Sequence, residues 1–119
     1  MTDELGTVLD TDRLAVLADE IGDVGLVRQA VQTFVDEVPQ RLADIRVALA
    51  GKDDAEIRSA AHALGSPAAM LGAVAVSASS KVLQAAALEG RTEEYAAMAA
   101  DLEATTHRTV DAIRDYLAS

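Results

Sequence analysis

The chain of 119 residues contains no cysteine. This absence excludes a disulfide scaffold, a cysteine-ligated zinc or iron–sulfur site, and catalysis by a thiol. The sequence also lacks a run of about eighteen apolar residues, the minimum for a membrane-spanning helix, and its first residues are acidic, unlike the basic start of a signal segment. We therefore expect a soluble cytoplasmic protein.

Basic residues are scarce as well. The chain carries 10 Lys and Arg residues against 20 Asp and Glu residues, which gives a formal net charge of −10. Binding to DNA or RNA requires clustered cations that neutralise phosphates, and an anionic membrane attracts proteins in the same way. We therefore expect neither nucleic acid nor a membrane to be the partner.

Proline and aromatic residues are also rare, with 2 prolines and 3% aromatic residues. Half of the chain is hydrophobic, mostly as alanine, valine and leucine, and this composition favours helix throughout. The length is typical of one domain, and a domain of this size buries about two-thirds of the surface that its unfolded chain exposes. It can therefore fold without a metal or a disulfide.

Glycine marks four short breaks in the helical pattern, at Gly22-Asp23, Gly51-Lys52, Gly72 and Gly90-Arg91. The predicted helices span about residues 12–21, 24–50, 53–71, 74–89 and 92–117. Short connections make successive helices antiparallel neighbours. We predict that residues 1–119 form a single all-α domain, an antiparallel up-down four-helix bundle with a short extra N-terminal helix.

Several single residues sharpen this prediction. The apolar stripe keeps its phase across Pro39, which favours one kinked helix over two separate ones. Asp53 resembles the first residue of a capping box, and Thr92 is a good N-cap for the last helix. Met70 and Met98 are predicted to fill gaps in the core.

His62 lies on the third predicted helix, away from its apolar stripe. At about 100° per residue, the imidazole points about 140° away from the direction of Ile57. Its neighbours one turn away are small apart from one cation: Arg58, Ser59, Gly65 and Ser66. A nitrogen nucleophile on such an open surface suits phosphoryl transfer, which depends mostly on positioning and charge neutralisation. We therefore predict that His62 accepts a phosphoryl group.

The run Ala61-His62-Ala63-Leu64, followed by Leu71-Gly72-Ala73, resembles the motif of histidine-containing phosphotransfer (HPt) domains, and the resemblance extends over nearly the whole chain from Leu14. It implies a carrier that accepts a phosphoryl group from a receiver-domain aspartate or a histidine kinase and passes it to a receiver aspartate in two-component signalling. It also implies no kinase activity, no nucleotide binding and no cofactor, with the Mg²⁺ belonging to the receiver. By carry-over, His62 is the acceptor.

Two departures from the family motif follow the histidine. The motif lysine is Gly65 here, the motif glycine is Ser66, and Pro67 follows them. The loss of the lysine removes a charge near the phosphate, and Arg58 is the candidate to replace it. Because Pro67 cannot donate to the carbonyl of Ala63, we expect a kink just after the histidine and a reduced transfer rate.

Alternatives to a phosphorelay carrier stay open at this point. One alternative is an HPt-like regulator that binds a receiver and transfers little phosphate. The other is a helical adaptor whose histidine is incidental. If the chain is a phosphorelay carrier, the candidate phosphate or receiver contacts are Arg58, Ser59, Gly65 and Ser66. Each of these residues also suits an ordinary surface helix. We expect no metal site, and we expect His107 to be a surface or partly packed residue.

Overall fold

The computed structural model describes residues 8–119, and all of its regular elements within that range are helical. The elements are α1 (Thr11–Ile21), α2 (Val24–Gly51), α3 (Asp54–Met70), α4 (Val74–Leu88), a 3₁₀ turn (Thr92–Glu94) and α5 (Tyr95–Ala118). The predicted all-α class is confirmed, and residues 1–7 of the predicted domain lie outside the described range. No helix within residues 8–119 is long and apolar enough to span a membrane.

Aspartates start three of the helices. The side chain of Asp10 accepts a hydrogen bond from the backbone of Arg13, and Asp23 caps α2 in the same way. The predicted cap at Asp53 is confirmed, since its carboxylate accepts from the backbone N–H of Glu56 at 3.2 Å. Each bond satisfies a backbone donor that the first helical turn leaves free.

The predicted N-cap at Thr92 is wrong. Residues Thr92–Glu94 form a 3₁₀ turn, and α5 begins at Tyr95 without a capping side chain. The reason is local, because the backbone N–H of Glu94 donates to the carbonyl of Arg91 at 3.0 Å and so tightens the chain before the α-helix begins.

Both prolines lie inside continuous helices, Pro39 in α2 and Pro67 in α3. The prediction of one helix across Pro39 is therefore confirmed. The kinks expected at Pro39 and just after His62 stay predictions.

The core is built from one stripe of each long helix. The inward stripe predicted for the third helix is largely confirmed: Ala60 is partly buried against the core, and the other five predicted residues belong to it, namely Ile57, Ala61, Leu64, Ala68 and Leu71. Met98 packs against this core from α5, as predicted. Met70 does not, because it lies on the face of α3 opposite the stripe, where its side chain is 59% exposed.

Polar contacts orient α5 against its neighbours. Arg28, near the start of α2, donates to the carbonyl of Leu117 near the end of α5. Arg46, near the end of α2, pairs with Glu103 at 2.7 Å and holds the pKa of that carboxyl below its usual value. The two contacts mean that α2 and α5 run in opposite directions, whereas the complete up-down order of the four long helices stays a prediction.

The short helix α1 is attached at the connection between α3 and α4. The backbone N–H of Asp10 donates to the carbonyl of Gly72 at 2.7 Å. Gly72 adopts φ +78°, and a Cβ atom there would lie 2.7 Å from the carbonyl oxygen of Asp10. Only glycine satisfies both demands, so this residue joins the N-terminal segment to the end of the bundle.

We expect the hydroxyl of Tyr95, a residue of the core, to make the stability of this fold sensitive to alkaline pH. Burial, followed by a 2.7 Å hydrogen bond donated to Asp54, raises its pKa to about 12. Since the tyrosine of an unfolded chain titrates near pH ~10, its contribution to stability is complete below that pH and is lost as the pH rises through about 12. We expect the urea midpoint to fall more steeply between pH ~9 and ~12 for the wild type than for Tyr95→Phe. Parallel curves would contradict this prediction.

Candidate functional site

His62 lies near the middle of α3 with its side chain exposed, as predicted. The helix is held in this orientation because Ala61 and Leu64, on either side of the histidine in sequence, are completely buried. A helix that buries those two positions must turn position 62 outwards. The packing of the core therefore fixes the direction of the imidazole.

The imidazole opens onto a groove between α3 and α4, which we call the His62 groove. Residues spaced three or four apart on each helix line it, so that one stripe of α3 faces one stripe of α4. The lining residues are His62, Gly65, Ser66 and Ala69 from α3, and Ser77, Ser80, Lys81 and Gln84 from α4. Most of these side chains are small, and none is a carboxylate.

Gly65 lies where the two helices approach each other closely. It is buried, and a Cβ atom built on it would lie 2.3 Å from Oγ and 2.7 Å from Cβ of Ser80. Real side chains do not come that close, so a residue with a side chain at this position would push α4 away. The sequence predicted Gly65 as a small contact residue on the open surface. The structure places it in the contact between the two helices instead.

Ser80 connects this contact to the backbone beside the histidine. Its hydroxyl donates to the carbonyl of Ala61 at 2.7 Å and accepts a hydrogen bond from the side-chain amide of Gln84 at 2.9 Å. Ser80 is completely buried, so the bond to Ala61 is shielded from water, and the two bonds satisfy a hydroxyl that would otherwise be costly to bury. The backbone that carries His62 is therefore held by α4 as well as by its own helix.

The other predicted site residues lie apart from one another. Ser66 lines the His62 groove, whereas Ser59 lines a different groove between α2 and α3. Arg58 is exposed on the first half of α3 and lines neither groove. The structure thus brings Gly65 and Ser66 together with His62, and their roles as phosphate or receiver contacts stay predictions.

The half of the groove formed by α4 was missed from the sequence. Ser77, Ser80, Lys81 and Gln84 recur at the spacing of one helix face, and this pattern is the signal that a helical wheel of α4 would have shown. Lys81 is the only Lys, Arg, Asp or Glu among the residues that line the groove.

His107 does not line the His62 groove. It is exposed on α5, 3.9 Å from Glu103, and it lines a groove with residues of α2. Within residues 8–119, no three side chains of the metal-binding types cluster closely enough to hold an ion. The two histidines therefore belong to separate surfaces.

Comparison with protein families identifies the family to which the chain belongs. A model of the Hpt domain matches residues 29–118, which include the whole of α3 and α4. The chain belongs to the Hpt domain family. Neither the curated proteins nor the solved structures gave a match. Hpt domains are phosphotransfer carriers of two-component signalling, distinct from classical enzymes, and they interact with receiver domains and histidine kinases.

We expect Gly65→Ala to destabilise this Hpt domain by about 1–3 kcal/mol, the usual cost of forcing extra atoms into a packed contact. Gly51→Ala is the matched control, because a Cβ atom there would meet nothing within 4 Å. That control should leave the free energy of unfolding unchanged or raise it by up to about 1 kcal/mol. Urea denaturation measures both variants.

A double-mutant cycle tests the cause of the Gly65→Ala loss. Replacing Ser80 with glycine removes both atoms that the new Cβ would strike. The cost of Gly65→Ala should therefore be smaller in the Ser80→Gly background than in the wild type. An equal cost in both backgrounds would show that the helix contact is not responsible.

Proposed function

We propose that this Hpt domain is a phosphorelay carrier in which His62 accepts a phosphoryl group and passes it to a receiver aspartate. The donor is a phosphorylated receiver aspartate or a histidine kinase. The single observation that carries the proposal is the exposed imidazole of His62 in a groove of small side chains without a carboxylate. Such a surface lets another protein bring a negatively charged phosphoryl group up to the ring.

The chemistry of the transfer needs few groups from this chain. An imidazole nitrogen uses its lone pair to form a bond to phosphorus while the bond from phosphorus to the aspartate oxygen breaks, and the carboxylate leaves with the electron pair. Passing the group on reverses these events at a second aspartate. Because the reaction is mostly a matter of alignment and charge, an exposed imidazole on a helix whose backbone is held by its neighbour is an adequate contribution.

The remaining candidate residues have different roles in this proposal, according to whether they line the His62 groove. Ser66 shares the groove with His62 and is placed to donate to a phosphoryl oxygen, while Gly65 acts through the helix contact. Arg58 and Ser59 lie outside the groove, so we assign them contacts with the flanks of the partner. We further propose a cytoplasmic protein that binds no nucleotide and no cofactor of its own, with Mg²⁺ supplied by the receiver.

One observation favours a second function. Gly65 stands where the family motif has a lysine, so the position that usually carries a cation beside the histidine carries none. A domain without that charge can dock on a receiver and regulate it while transferring little phosphate. This alternative predicts receiver binding that is equal for the wild type and for His62→Ala, with no phosphate found on either protein.

Substitution of the two histidines separates these functions. The wild type, incubated with phosphorylated receiver domains from its own genome, should gain a phosphate that is stable in base and labile in acid. His62→Gln should gain none, because the amide side chain offers no ring nitrogen to attack phosphorus. His107→Gln, the control at the other exposed histidine, should match the wild type. Equal labelling of His62→Gln would defeat the proposal.

A further inference from the structure

The His62 groove contains a cation on the helix opposite the histidine. Lys81 follows Ser80 directly, and Ser80 is the residue that touches Gly65 one turn after the histidine. The side chain of Lys81 is exposed and lines the groove together with the imidazole. It is one of only two lysines in a chain whose net charge is −10.

The contact between the helices explains why this cation comes from α4. A lysine at position 65 would need a Cβ atom 2.3 Å from the hydroxyl oxygen of Ser80. Ser80 is not free to move aside, since it is completely buried and bonded both to Ala61 and to Gln84. In this chain, α3 therefore has no room for a cation at the position after Leu64.

Other cations near the histidine are less well placed. Arg58 lies one turn before His62 on the same helix, and it does not line the groove into which the imidazole opens. Lys52 lies at the end of α2 and lines a separate groove with Thr92 and Glu93. Among residues 8–119, Lys81 is the one Lys or Arg that shares the groove with His62.

We propose that the ammonium group of Lys81 binds the phosphoryl group as it arrives at and departs from His62, in place of the family's lysine on α3. This inference rests on the proposed function of His62. A lysine ammonium is a compact charge with three rotatable donors, so it can follow phosphoryl oxygens from a flexible side chain. The cation accelerates transfer by neutralising charge that accumulates on those oxygens.

The test uses phosphoramidate, an anionic small molecule, as the phosphodonor, so that docking of a protein partner plays no part. In this reaction, the bond from phosphorus to an imidazole nitrogen forms as the bond from phosphorus to the departing ammonia breaks. The full chain carries His107→Gln, which leaves His62 as its only histidine. Phosphate on His62 is followed over time by mass spectrometry of the intact protein.

We expect Lys81→Ala to slow phosphorylation of His62 about tenfold, and we expect Lys81→Arg to restore most of the rate. The ratio between wild type and Lys81→Ala should fall towards one in about 1 M salt, where charges are screened within about 3 Å. A purely structural role of Lys81 would not respond to salt in this way. Circular dichroism of each variant checks that the helices are intact.

Lys52→Asn is the matched control. It removes the other lysine, and asparagine tolerates the positive φ of 55° at that position. We expect it to leave the rate unchanged, and Arg58→Ala to change the rate by less than about twofold. A tenfold loss in Arg58→Ala would overturn the inference, because the charge would then come from α3.

The outcomes separate this inference from the proposed function. If Lys81→Ala reacts as fast as the wild type while His62→Gln takes no phosphate from receivers, the carrier function stands and the inference about Lys81 is wrong. If the wild type takes no phosphate on His62 from either donor, the carrier function is wrong and the inference falls with it.

Discussion

The close contact between Gly65 and Ser80 is the constraint on which the site depends. It brings α4 against α3 one turn after the histidine, and it buries the serine hydroxyl where that group can bond to the carbonyl of Ala61. With the two helices at that distance, a stripe of each faces the same groove. The narrow spacing of the groove and the position of Lys81 beside His62 follow from one missing side chain, whereas the exposure of His62 follows from the burial of Ala61 and Leu64.

The distribution of negative charge supports the same site. The chain has twice as many acidic as basic residues, and several of the acidic side chains cap helices or form ion pairs away from the groove. Asp10, Asp23 and Asp53 cap the starts of helices, and Glu103 is paired with Arg46. The groove beside His62 is lined by no carboxylate, so the residues that line it would not repel the phosphoryl group of the proposed reaction.

Periodicity in the sequence was enough to predict the helices and the direction of His62, because burial of a stripe decides which way every other residue of a helix points. It failed where a residue lies off the stripe or at a helix end, as Met70 and Thr92 show. The contact between α3 and α4 lay beyond its reach, since periodicity says which face of a helix is buried and not which residues of two helices meet. Gly65 was accordingly interpreted as a lost charge, although the structure gives it a role in packing, and Lys81 was given no role.

The packing at Gly65 also bears on how such a domain can change over generations. Because Ser80 fills the space beside position 65, a single substitution cannot restore a lysine there without displacing the neighbouring helix. A smaller residue at position 80 makes room for that side chain, but it sacrifices the hydrogen bond to Ala61. Either order of the two substitutions therefore passes through a less stable intermediate.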